Sequence, residues 1–217
     1  MPDVYQVSDR KRTVAAVPSR EDCGLPLDRF VFCSFNNNFK YTPEVFATWM
    51  HILRRVPASV LWLLSDNPWA EANLRKQAEQ HGLEPGRLLF AGRIAPDAYL
   101  ARFGVADLFL DTYPFNAGTT ANDALWMELP LLTYSGRTFA SRMAGSLLSC
   151  AGLTELITYN LRDYEEKAVE LATAPEQCRR IRDRLREAKA NGPLFDTPRF
   201  VRNLEEQFKQ LAADLII

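Results

Sequence analysis

Short apolar runs alternate with segments of helical period along most of this chain, and this alternation restricts the possible folds more than any other feature. The runs span 30–33, 60–64, 88–90, 108–110 and 131–133. Short buried strands that alternate with helices are typical of a parallel sheet covered by helices on both faces, with right-handed crossovers. The pattern therefore predicts a doubly wound, Rossmann-like α/β fold.

Residues at two helix starts support this prediction. Thr42 before Pro43 supplies an N-cap followed by a proline in the first turn. Asp66 or Asn67 before Pro68 repeats the pattern and predicts the start of the next helix.

The chain divides into an arm and one domain. Residues 1–29 lack sustained periodicity and carry three prolines, so we interpret them as an arm or linker that lies on another surface. Residues 30–217 then form one Rossmann-like domain with additional C-terminal helices. The helices predicted after residue 136 span 139–151, 163–174, 176–190 and 198–213.

The last predicted helix carries an apolar stripe that must pack against something. Its four members are Phe200, Leu204, Phe208 and Leu211.

Composition argues against several classes of function. The formal charge of −1 gives no electrostatic reason to expect nucleic acid or an anionic membrane as partner. No apolar run approaches the roughly 20 residues that cross a bilayer, and the first residues do not resemble a signal peptide. Four dispersed cysteines indicate reduced thiols, so we expect a cytoplasmic protein. Two histidines are too few for most histidine-centred mechanisms and most zinc sites.

Polar residues collect after the predicted strands. In a parallel sheet the carboxyl ends of the strands share one edge, and ligands bind beyond that edge. The polar segments that follow the five strands are 34–40, 65–67, 91–96, 111–120 and 134–136.

The segment 114–123 is the strongest candidate at that edge. A strand, a loop of small residues and a helix start together present backbone N–H groups to an anion such as phosphate. An alternative stays open, because Thr120-x-x-Asp123 has the form of a capping box and a capped helix needs no ligand.

Other side chains also have two interpretations. Lys40 follows an asparagine-rich turn, where it either meets a phosphate or developing oxyanion or is simply solvated. Arg102 and Arg142 lie on predicted helices and are interpreted as surface arginines. His51 and His81 are interpreted as structural.

Six separated motifs resemble those of a known family and occur in the same order. The chain is similar to the C-terminal catalytic lobe of the O-linked N-acetylglucosamine (O-GlcNAc) transferases and of their bacterial and SPINDLY-like relatives. The resemblance covers essentially the whole chain. The motifs are FNNNFK at 35–40, VPASVLWLL at 56–64, ADLFLDT at 106–112, GTTANDALW at 118–126, TFASR at 138–142 and LFDT at 194–197.

The resemblance implies half of a two-lobed GT-B glycosyltransferase. In that family the C-terminal lobe holds a nucleotide sugar, UDP-N-acetylglucosamine (UDP-GlcNAc), and transfer to protein Ser or Thr proceeds with inversion and without a metal. The N-terminal lobe and the tetratricopeptide repeats are expected as missing partners, so this chain is expected to be inactive alone. No Asp-x-Asp pair occurs, which agrees with a metal-independent donor site.

The resemblance also implies roles for individual residues. Lys40 would contact the diphosphate, stabilise the leaving group and be the catalytic residue. Asn37 would lie near the sugar or its phosphates. Ala95 would bind uracil through its backbone, with Arg102 beside it.

Further implied contacts lie at the segment 114–123. Thr119 and Thr120 would offer their amides to the phosphates, and Asp123 would bind the ribose. Gly118 and Tyr99 stand where animal members have histidines, so at these two positions the resemblance does not carry over nucleotide stacking and sugar choice.

Two alternatives to a UDP-GlcNAc transferase remain. The chain could be a non-catalytic nucleotide-binding or scaffold module. It could also serve a transferase that uses another donor, such as GDP-fucose or UDP-glucose.

Overall fold

The computed structural model describes residues 1–214, which form a sheet surrounded by helices. The strands are β1 (Phe30–Ser34), β2 (Ser59–Leu64), β3 (Leu88–Ala91), β4 (Leu108–Leu110), β5 (Leu131–Tyr134) and β6 (Ile157–Thr158). The α-helices are α1 (Pro43–Arg55), α2 (Pro68–Gln80), α3 (Pro96–Arg102), α4 (Thr119–Trp126), α5 (Met143–Cys150), α6 (Leu161–Thr173), α7 (Pro175–Asn191) and α8 (Thr197–Asp214).

The sheet confirms the predicted doubly wound topology. Its strand order is β3-β2-β1-β4-β5-β6, and every neighbouring pair is parallel. Phe32 in β1 pairs with Leu61 on one side and with Leu108 on the other. The chain order therefore reverses between β1 and β4, and in open α/β sheets a crevice forms at such a point.

Burial on both faces explains the apolar runs. All six residues of β2 are buried, as expected for a central parallel strand. The helix α1 covers the sheet with its apolar face and packs against α6, where Trp49 Nε1 donates to the Tyr164 hydroxyl at 3.3 Å.

The helix starts agree with the sequence at two places. The Thr42 side chain accepts a hydrogen bond from Val45 N at the start of α1, and Asn67 caps α2 in the same way. The strand β6 was not predicted, since its two residues are too few to show a period. The predicted helix 139–151 begins instead with a 3₁₀ turn at Ala140–Arg142, followed by α5.

The arm, residues 1–29, packs along the lobe itself. Val4 and Leu25 are buried in the common core. Arg20 Nη2 forms an ion pair with Asp107 Oδ2 at 2.7 Å, next to β4. The boundary at residue 29 stays a prediction, and the last three residues of the predicted domain lie outside the described chain.

The helix α8 leaves its apolar stripe mainly uncovered. No described residue of α8 is buried, and Phe208 and Leu211 are 61% and 59% exposed. Phe200, nearer the start of the helix, packs against the edge of the core.

The four cysteines all carry free thiols. Within residues 1–214, none of the helices has both the length and the apolar character that crossing a membrane requires.

Candidate functional site

The carboxyl ends of β1 and β4 meet at the crevice where the strand order reverses. A 3₁₀ turn, Asn38–Lys40, follows β1, and the loop 111–118 follows β4. Lys40 Nζ donates to Asn116 O at 3.1 Å and lies 4.0 Å from the centre of the Phe115 ring. Lys40 therefore joins the two sides of the crevice.

A pocket of about 390 Å³ opens at this edge of the sheet. The structure brings five of the predicted site residues together in its lining: Asn37, Lys40, Tyr99, Arg102 and Thr120. Ala95 is exposed and lies between two residues that line the pocket. The predicted residues from separate strand ends thus share one cavity, while their individual roles stay predictions.

The charge of the lining is one-sided. Among the described residues that line the pocket, three are cationic, Lys40, Arg93 and Arg102, and none is a carboxylate. Arg93 was not singled out from the sequence. It donates to Asn37 Oδ1 at 3.1 Å and to Asp66 Oδ1 at 2.9 Å. Such a lining suits an anionic ligand.

Arg102 is buried, so its interpretation as a surface arginine was wrong. Only 6% of the residue is exposed, and its guanidinium lies 5.6 and 5.7 Å from the ring centres of Phe35 and Trp62. Its Nη1 donates to Gly92 O at 2.9 Å, which supports the loop that carries Ala95. Burial lowers the pKa of Arg102.

The start of α4 has free backbone donors. The N-cap is Gly118, with no side-chain capping bond, so the alternative of a Thr120 capping box was wrong. In the described part of the chain, no partner accepts from the backbone N–H groups of Thr119 and Thr120. These groups and the helix dipole favour an anion at this position.

Close packing accounts for glycine at position 118. A Cβ atom there would lie 2.5 Å from Met143 Cε and 3.3 Å from the Tyr5 hydroxyl oxygen. A side chain at Gly118 would require Met143 to move. The space into which a side chain at Gly118 would point is thus filled by α5 and the arm.

Asp123 lies behind the pocket and already has a cationic partner. The residue is 4% exposed and forms an ion pair with Arg12 of the arm. Burial raises the pKa of Asp123, and the Arg12 guanidinium acts in the opposite direction. No sequence pattern indicates this partner, since 111 residues separate the two.

Asp111 is a second buried carboxyl that was not singled out, although it directly follows the run 108–110. One carboxyl oxygen accepts from the backbone N–H groups of Thr112 and Ala117, and the other accepts from Thr133 Oγ1, each at 2.7 Å. Desolvation raises the pKa of Asp111 to about 7, while these hydrogen bonds and the charge of Lys40 act to lower it.

Hydrogen bonds from α6 and within the loop itself hold the loop 111–118 in place. The Tyr164 hydroxyl donates to Asp111 O at 3.0 Å and itself accepts from Trp49 Nε1. Within the loop, Asn116 Nδ2 donates to Thr112 O at 2.7 Å. The carbonyl that accepts from Lys40 is therefore in a fixed position.

Asn36 was not singled out either, although it belongs to the motif at 35–40. It is 2% exposed and lines the pocket, yet both side-chain amide atoms lack a hydrogen-bond partner among the described residues. A buried amide without partners is unfavourable, so a ligand in the pocket would stabilise it.

The raised pKa of Asp111 predicts a pH dependence of stability. The unfolded carboxyl titrates near 3.8 and the folded one near 7, so between these values unfolding releases a proton. Stability from this group is therefore present below pH 4 and is lost as the pH rises to about 7, on the order of 1 kcal/mol per pH unit. Urea unfolding at a series of pH values, over a range of about three pH units from about 4.5 to about 7.5, measures this loss of stability. Asp111→Asn should remove this component, and an identical pH profile for both proteins would contradict the assignment.

Comparisons with known proteins agree with this geometry. The family model for glycosyl transferase family 41 matches residues 6–204. An Arabidopsis thaliana protein named "Probable UDP-N-acetylglucosamine--peptide N-acetylglucosaminyltransferase SEC" is 38% identical over 215 residues, which is 96% of this chain. A Caenorhabditis elegans UDP-N-acetylglucosamine--peptide N-acetylglucosaminyltransferase is 34% identical over 193 residues, or 89% of this chain.

A solved structure shows the same fold. A mutant O-GlcNAc transferase from Thermobaculum terrenum superposes with a TM-score of 0.86 at 28% identity, covering 95% of this chain and 39% of that protein. This chain spans about a fifth of the length of the curated relatives, 22% of the Arabidopsis protein and 17% of the nematode protein.

Proposed function

The chain belongs to glycosyltransferase family 41, and on that premise we propose that it is the donor-binding half of a protein O-glycosyltransferase. The observation that carries the proposal is the pocket at the β1–β4 crevice. Its described lining has three cationic side chains and no carboxylate, and it lies beside Lys40 and the start of α4. This arrangement suits a nucleotide diphosphate.

The proposed donor is a UDP-sugar, UDP-GlcNAc. Relatives whose names specify UDP-N-acetylglucosamine support this choice. In the proposed complex, uracil binds the backbone of Ala95 near Tyr99, and the diphosphate lies between Lys40 and the amides of Thr119 and Thr120. The Asn36 side chain supplies a further donor and acceptor within the same pocket.

The proposed reaction is an inverting, metal-independent transfer to Ser or Thr. When the bond between the sugar and UDP breaks, negative charge develops on the departing diphosphate. The Lys40 ammonium and the N-terminus of α4 lie on two sides of the crevice, where they can stabilise this charge without a cation.

Acceptor binding is assigned to an N-terminal lobe. A GT-B enzyme closes its active site between two lobes, so this half is proposed to bind the donor and to need the other lobe for transfer. The exposed apolar side chains Phe208 and Leu211 on α8 support such a neighbour, because they have no cover in the described structure.

Calorimetry with UDP tests the proposal directly. We expect the chain to bind UDP and UDP-GlcNAc with saturable heat, because the pocket brings three cationic side chains together beside the start of α4. Complete absence of heat at millimolar nucleotide, with the protein shown to be folded by circular dichroism, would reject the donor site.

Two further measurements separate the alternatives. A competition panel with UDP-glucose and GDP-fucose identifies the donor, and tighter binding of GDP-fucose would overturn the assignment of UDP. Adding the N-terminal lobe of a relative in trans and assaying sugar transfer distinguishes a catalytic half from a non-catalytic binding module.

A further inference from the structure

The arm places one charged side chain directly behind the candidate pocket. Arg12 Nη2 donates to Asp123 Oδ1 in an ion pair that is largely shielded from solvent. Tyr99, which lines the pocket, is close enough to Asp123 and Thr120 for both to influence its pKa. The Arg12–Asp123 pair is therefore separated from the pocket by no more than the side chains of its wall.

One donor of this pair is unused. Arg12 Nη1 is buried and has no hydrogen-bond partner among the described residues. Leaving a buried charged donor unsatisfied is costly, and a ligand group that accepts from it would relieve that cost.

The arm holds Arg12 in place from both sides. On one side, Ser8 Oγ donates to Asn122 Oδ1 at 2.9 Å. On the other, Ala15 N donates to Asp97 O at 3.2 Å. Arg12 lies between these two attachments, so the backbone that carries it is held against the lobe, directly behind the wall of the pocket.

The chemistry of the pair matches a vicinal diol. Each hydroxyl of a ribose both donates and accepts, so a carboxylate beside a guanidinium can satisfy both functions. The Arg12 guanidinium opposes the effect of burial, which on balance raises the pKa of Asp123.

We propose that Arg12 is a binding residue of the donor site, where it and Asp123 together bind the ribose hydroxyl groups of the nucleotide. This inference depends on the proposed function and adds the arm to the site. Asp123 accepts from one hydroxyl, while Arg12 positions Asp123 and donates through Nη1 to the diol.

The test compares two ligands that differ only in the diol, UDP and 2′,3′-dideoxy-UDP, by calorimetry. The wild-type chain should bind UDP at least about tenfold more tightly than the dideoxy compound. In Arg12→Ala, UDP affinity should fall by about tenfold or more, while affinity for the dideoxy compound changes by less than about twofold.

Arg10→Ala is the matched control. Arg10 lies two residues away in the arm, and within residues 1–214 its side chain donates only to the backbone carbonyls of Phe195 and Gly192, away from the pocket. This variant should bind both ligands as the wild type does.

Arg12→Lys keeps a positive charge beside Asp123 and serves if the alanine variant does not fold. It should recover part of the UDP affinity and leave the affinity for the dideoxy compound unchanged. Equal losses for both ligands, or no loss for either, would overturn the proposal. If the folded wild-type chain binds neither ligand, the donor site itself is wrong and the inference fails with it.

Discussion

Replacing Lys40 with alanine is expected to weaken UDP binding by about 10- to 100-fold, which is the effect of losing one charge-assisted contact to a diphosphate in a partly buried site. Burial lowers the pKa of Lys40, and the nearby Asp111 carboxyl opposes that effect. The ammonium also lies close to the backbone carbonyl of Asn116, at the mouth of the crevice. Calorimetric titration of UDP into both proteins measures the change.

Two variants make this result specific. Lys76→Ala removes the same charge from an exposed position on α2, away from the pocket, and should leave UDP affinity unchanged. Lys40→Arg keeps the charge with a different shape and should retain part of the affinity. If Lys40→Ala binds UDP as tightly as the wild type, Lys40 does not meet the diphosphate.

Replacing Asp111 with alanine is expected to lower the free energy of unfolding by about 3 kcal/mol or more. The substitution leaves three buried donors without an acceptor, namely the N–H groups of Thr112 and Ala117 and the hydroxyl of Thr133. It also removes the anchor of the loop that carries the carbonyl bonded to Lys40, so UDP affinity should fall as well. Urea unfolding at constant pH measures the first effect.

Asp111→Asn separates hydrogen bonding from charge at the same position. The amide oxygen can accept from the two N–H groups, and the amide nitrogen can donate to Thr133 Oγ1. We therefore expect a loss of at most about 1 kcal/mol. Similar losses for the two variants would show that the hydrogen bonds do not account for the stabilisation.

The sheet, and the edge of it where the candidate site lies, could be predicted because both depend on short-range patterns. Five apolar runs marked five of the six strands in the described part of the chain, and the carboxyl ends of parallel strands must share an edge. Lys40 and the segment 114–123 each come shortly after the carboxyl end of a predicted strand. Their proximity in space therefore follows from the sheet alone. The order of the strands in the sheet could not be predicted, because the periodicity of an apolar run does not indicate which other strand it pairs with.

The features that escaped prediction depend on contacts between distant parts of the chain. Arg102 had the appearance of a surface arginine, because its partners Phe35 and Trp62 belong to other strands or the loops after them. Asp123 was assigned a ligand, while its observed partner, Arg12, comes from a segment without any periodic pattern. No local signal distinguishes such an arginine from a solvated one.

The attachment of the arm to α8 has a consequence for the order in which the chain can assemble during synthesis. Asp3 forms an ion pair with Arg199 at 2.8 Å, and the Thr197 hydroxyl donates to Ser8 O. The partners are 196 and 189 residues apart in the sequence. The arm precedes α8 in the chain, so its anchors on that helix can form only after α8 has been made. Closing so long a loop is favourable only on a lobe that has already folded. The arm is thus expected to be among the last parts of this chain to dock.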